Sequence, residues 1–108
     1  MLRQAQHERD TPNPVRGEAS VVITGRTVVL RPTFAALVAA EGELGPLFAL
    51  VERAAGGGLT LTELAALLWH CAIQPPPRDV FADGLVAGGL AAATPALRVL
   101  LGQILGGR

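Results

Sequence analysis

Glu18-Ala19-Ser20-Val21-Val22-Ile23-Thr24-Gly25-Arg26-Thr27-Val28-Val29-Leu30 is the stretch that decides the fold of this chain. Its two arms are rich in β-branched residues, which suit a pleated, half-buried surface. Thr24-Gly25 between them reads as a two-residue turn. That turn sets Ile23 opposite Arg26, Val21 opposite Val28 and Ala19 opposite Leu30. Ala19, Val21, Ile23, Val28 and Leu30 then share one face, the core face. A lone hairpin is marginal in water, so other elements must cover it.

The cover comes from downstream. Thr33 is a good N-cap for a first helix in which Phe34, Leu37, Val38 and Glu41 follow helical spacing, with Leu44 near the end, and which Gly45-Pro46 breaks. A second helix from Pro46 to about Ala55 has Leu47, Leu50 and Val51 on one side, and Gly56-Gly57-Gly58 stops it. Thr60-Leu61-Thr62-Glu63 is a capping box. It opens a helix to about Ile73 with Leu61, Leu64, Ala65, Leu68, Cys71 and Ala72 on one stripe, and Leu67 and Trp69 off it. Gln74-Pro75-Pro76-Pro77 is a rigid extended spacer. Asp79 is the expected cap of a fourth helix through about Leu90, with Phe81 and Leu85 inward. Thr94-Pro95 marks the expected start of the last helix, which runs to about Leu105. The expected class is therefore α+β: a β-hairpin over residues 17–31 packed on a bundle of four to five short helices within 33–105. Upstream, residues 1–16 contain Pro12 and Pro14 and lack apolar periodicity, so they are expected to form a flexible arm before a single domain, 17–108.

Composition narrows the function. Half the 108 residues are hydrophobic and 17% are charged, which argues against disorder and leaves apolar surface for a partner. Nine bases, all Arg, balance nine acids. Nucleic-acid binding needs a concentrated cationic face, and these arginines are scattered, so no nucleic-acid partner is expected. The lone Cys71 cannot form an intramolecular disulfide, which suits a reducing compartment. No signal peptide and no membrane span are expected, since the uncharged run from Gly84 to Leu97 is short and interrupted by Pro95. A bacterial cytoplasmic location follows as the expectation.

Reactive constellations are absent from the sequence pattern. His70 and Cys71 are helical neighbours pointing about 100° apart, so they cannot pair as base and nucleophile. One cysteine and two distant histidines do not supply the three or four convergent ligands of a metal site. Asp79 and Asp83 share a helix face but sit where an acidic first turn favours the helix dipole. The three glycines at 56–58 precede a helix but follow another and lack the lysine of a phosphate-binding loop. The reading is a non-enzyme with no catalytic residues, cofactor or metal. Trp69 is either core or an interface hot spot. Leu97, Leu100, Leu101, Ile104 and Leu105 form a clean stripe on the last helix. Together with Trp69 they are the expected protein interface, or else they close the core under the hairpin.

The order of segments resembles a known family. Arg16-Gly17-Glu18-Ala19-Ser20-Val21, Gly25-Arg26-Thr27-Val28-Val29-Leu30-Arg31-Pro32-Thr33 and Phe34-Ala35-Ala36-Leu37-Val38-Ala39-Ala40-Glu41 come first. The capped Leu59-Thr60-Leu61-Thr62-Glu63-Leu64 and then Gly88-Gly89-Leu90 follow. This order is similar to the gene transfer agent family protein, a small phage-tail-type family of alphaproteobacteria. The resemblance runs from about residue 14 to the C-terminus and brings no catalytic residues. It implies a tail-assembly chaperone that binds the tape-measure protein or other tail proteins, while the apolar stripe of the last helix adds a second copy of the chain as an expected partner. The alternative it implies is a structural, tube-associated component of the particle. A small ligand-binding domain is the third class, and it would need convergent polar groups.

Overall fold

The computed structural model describes residues 19–106. The arm expected over 1–16 lies outside the described residues. Strands β1 (Ala19–Ile23) and β2 (Arg26–Leu30) form an antiparallel pair in the expected register, Ala19 opposite Leu30 through Ile23 opposite Arg26. Thr24 and Gly25 both have positive φ, 49° and 81°, as a type I′ turn requires to match strand twist. Thr24 is a β-branched residue in a region such residues avoid. Its hydroxyl donates to the Ile23 carbonyl at 2.7 Å.

Five helices follow: α1 (Phe34–Leu44), α2 (Leu47–Ala55), α3 (Leu61–Cys71), α4 (Arg78–Ala87) and α5 (Leu90–Gly106). Thr33 caps α1, its Oγ1 accepting from Ala36 N at 3.1 Å. The chain bends by 83° between α1 and α2, where Gly45 takes φ 91°. Glu41 reaches over that corner and accepts from Leu47 N at 2.9 Å, satisfying a donor at the start of α2. The Thr60–Glu63 capping box forms in full, 3.0 and 3.1 Å. Arg53 of α2 donates to the same Glu63 at 2.5 and 2.7 Å, tying α2 to α3.

The inner face of the hairpin is wholly buried, and Ile23, Val28 and Leu30 are at most 1% exposed. Leu50 from α2, Leu67, Leu68 and Cys71 from α3, Phe81 and Leu85 from α4, and Ala93, Ala96 and Leu100 from α5 close around it. Each large side chain so buried contributes about 1.5–3 kcal/mol. Gly84 of α4 lies where a Cβ would come 2.6 Å from Ile23 Cγ2, so its missing side chain lets α4 lie against β1.

Four expectations shift in detail. The inward face of α3 carries Ala66, Leu67, Leu68 and Cys71, whereas Leu61 is 48% exposed. The helix is apolar more than halfway round, so packing chose the face, not periodicity. α3 also stops at Cys71. Ala72 then bridges to Leu30, while Arg31 N donates to Cys71 O (2.7 Å) and Ile73 N to Val29 O (2.9 Å). That short rung covers the outer edge of β2. Asp79 does not cap α4: the cap position is Pro77, and Asp79 sits in the first turn, Oδ1 accepting from Val80 N at 2.9 Å. The last helix starts at Leu90 rather than at Thr94-Pro95. Leu90-Ala91-Ala92-Ala93 is a run of strong helix formers, and Gly89, φ 88°, marks the break instead.

Candidate protein-interaction surfaces

Three local arrangements could carry function, and each starts from identifiable residues. The first is a clasp around Trp69. The Pro75–Pro77 rings hold the chain extended, so it passes beside the C-terminal end of α3. Trp69 Nε1 donates to Pro76 O at 3.0 Å, and the Arg78 guanidinium lies 5.1 Å from the indole centroid. Glu43 at the end of α1 receives both Arg78 and His70 Nε2, the latter at 2.8 Å. The Arg78 hydrogen bond, then that from His70, holds the Glu43 carboxyl below the ordinary glutamate range. Three helix ends are thus joined through one carboxylate. Trp69 is half-buried against the core, its indole N–H engaged within the chain.

The second is the expected α5 stripe, which the structure divides. Leu100 is 0% exposed and packs the core. Leu97, Leu101 and Ile104 are half-buried, and Leu105 is 62% exposed. Leu97 also lines a 270 Å³ depression with Leu59, Leu61, Leu64 and Leu90. Trp69 belongs to the clasp and the other five to the middle and second half of α5, so the six expected residues do not share one described pocket.

The third is a groove of 540 Å³ between α3 and α4. Ala65, Ala66 and Ala82 line it, the exposed Leu61 and Val86 form apolar lips, and Arg78, Asp79 and Asp83 add charge. Spacing along both helices could have revealed it, since Leu61 and Ala65, and Ala82 and Val86, are i, i+4 pairs.

Phe34, which follows helical spacing along α1, is 84% exposed, and Phe48 is 75% exposed. The available signal was that the first seven residues of α1, Phe34 to Ala40, are all apolar, so spacing alone could not choose an inward face.

Burial pushes the Cys71 thiol up to about 12, so it is protonated at neutral pH. Among the described residues no three His, Cys, Asp or Glu side chains gather as metal ligands would. No single helix among them is long and apolar enough to cross a membrane.

A family model described as phage tail tube protein, GTA-gp10, matches residues 16–107. No curated protein and no solved structure matches.

Proposed function

Because the chain belongs to the phage tail tube protein family GTA-gp10, we propose that it is a tube-associated structural component of a phage-type tail, working by protein–protein contact. The family match over residues 16–107 carries this reading. The surface agrees with it: large apolar side chains such as Phe34, Phe48 and Leu105 stand exposed around the domain. A bacterial cytoplasmic location during assembly goes with the proposal.

Quantitative mass spectrometry of purified particles tests it. A structural component is present in fixed stoichiometry with the other tail proteins. Its absence from finished particles refutes the reading.

One observation favours a second reading, an assembly chaperone for the tape-measure protein. The α3–α4 groove has an alanine floor and apolar lips, the shape that receives one face of an amphipathic helix. Asp79 and Asp83 on its rim favour a helix with basic residues beside its apolar ridge. This reading predicts co-capture of the tape measure from assembling cells, and a loss of capture on Ala82→Glu.

A further inference from the structure

The outer face of α1 is unlike that of an ordinary surface helix. Ala36, Leu37, Ala40 and Leu44 face the core. The opposite side presents Phe34, Ala35, Val38, Ala39 and Gly42, all exposed and none of them polar. A solvated helix face normally carries charge. The two carboxylates that flank this one are turned away by partners within the chain, Glu41 to Leu47 N and Glu43 to His70 and Arg78. The face is therefore apolar and uncharged along two turns.

Its relief is symmetric. Phe34, Val38 and Gly42 follow one another at i, i+4 and i+8, so knob and gap each lie about 6 Å along the axis from Val38. Phe34 is 84% exposed and projects freely. Gly42 lies in the last turn of α1, and among the described residues nothing outside its own helix comes within 4 Å of where its Cβ would be. Glycine is a weaker helix former than alanine, and among the described residues nothing fills the gap.

We propose that this face docks against the same face of a second copy, α1 antiparallel to α1 about a two-fold axis at Val38. Phe34 of each copy then seats over Gly42 of the other, and Ala35 and Ala39 let the backbones approach. A two-fold contact requires a patch complementary to itself, and a knob and a hole equidistant from a centre meet that condition. The absence of charge on the face removes the like-charge repulsion that self-docking otherwise meets. Five residues of one short helix offer roughly half of the ~800 Å² per partner typical of a stable complex. The dimer is accordingly weak and concentration-dependent. The proposal does not depend on the tail role.

Sedimentation equilibrium on the full chain tests it, from about 10 µM to about 1 mM, the range in which small interfaces associate. The wild type shifts from monomer to dimer. Phe34→Ala and Gly42→Phe each abolish the shift, with the helical circular dichroism unchanged because both sites are exposed. The double variant, which exchanges knob and hole, recovers it. A wild type that stays monomeric throughout overturns the proposal. So does a dimer indifferent to Phe34→Ala, or a double variant that fails to recover association.

Discussion

Replacing Gly84 with alanine is the sharpest probe of how the hairpin and α4 fit together. The new Cβ would come 2.6 Å from Ile23 Cγ2, 3.4 Å from its Cδ1 and 3.5 Å from its Cα. Carbon atoms prefer about 3.5–4.0 Å, so something must move by close to 1 Å. The Cγ2 methyl cannot swing away cheaply, since β-branched side chains are stiff at χ1 and Ile23 is 1% exposed. Overpacking of this kind costs about 1–3 kcal/mol. Against it stands the gain of about 1 kcal/mol from alanine over glycine inside a helix. The net expectation runs from no change to a loss of about 2 kcal/mol, at roughly 4–8 °C in Tm per kcal/mol for a domain of this size. Gly102 of α5 is the control, because a Cβ there meets nothing within 4 Å. Gly102→Ala should raise Tm by its propensity term alone. Thermal unfolding followed by far-ultraviolet circular dichroism compares the two. A second arm measures Gly84→Ala in an Ile23→Ala background, where its cost should vanish. A Gly84→Ala protein as stable as Gly102→Ala refutes the close-packing argument, as does an unchanged cost once Ile23 is shortened.

Other outcomes follow from the same geometry. Thr24→Asn replaces a β-branched residue at φ 49° with one that tolerates that region; it should stabilise by about 0.5–1 kcal/mol, read by urea unfolding. Cys71 should react with a thiol reagent at neutral pH only at the rate of unfolding, because burial holds the thiol protonated; fast labelling of the native protein would contradict this. Glu43 has a folded-state pKa below its unfolded value, so its contribution is complete above the unfolded value and disappears as pH falls through the folded one. With side chains this exposed the effect is at most about 1 kcal/mol. Glu43→Gln should lower Tm at neutral pH and match the wild type in acid.

The elements most legible in the sequence are those whose signals are local. Thr24-Gly25 between two period-2 runs specifies a register in which a one-residue slip would turn Val21 and Val28 to solvent. Thr60 and Glu63 satisfy each other within a single turn. Signals failed where two local preferences competed or where the deciding contact was distant. The alanine run after Leu90 outweighed the Thr94-Pro95 start signal. α3 offered apolar residues on too many sides for spacing to choose between Leu61 and Leu67. The clasp joins Glu43 to Arg78 across 35 positions, and Trp69 finds its acceptor on a proline read only as spacer. Of the surfaces, the α5 stripe was visible as a pattern, but whether each leucine faces core or water depends on how α5 lies on β1. The exposure of Phe34 was likewise decided by which side of α1 met α3.

The rung that Ala72 and Ile73 add beside β2 gives this small domain an order of assembly. Its hydrogen bonds join positions about forty residues apart, Arg31 with Cys71 and Val29 with Ile73. On a ribosome the two strands emerge long before the segment that shields their margin, leaving a sticky ribbon waiting for its guard. Hairpin and guard should therefore become protected together, late and in one cooperative step, and native-state exchange of the Arg31 and Ile73 amides should follow global opening rather than local fraying. A chain cut short before Ala72 would carry that bare margin permanently and should clump rather than linger as a folded fragment.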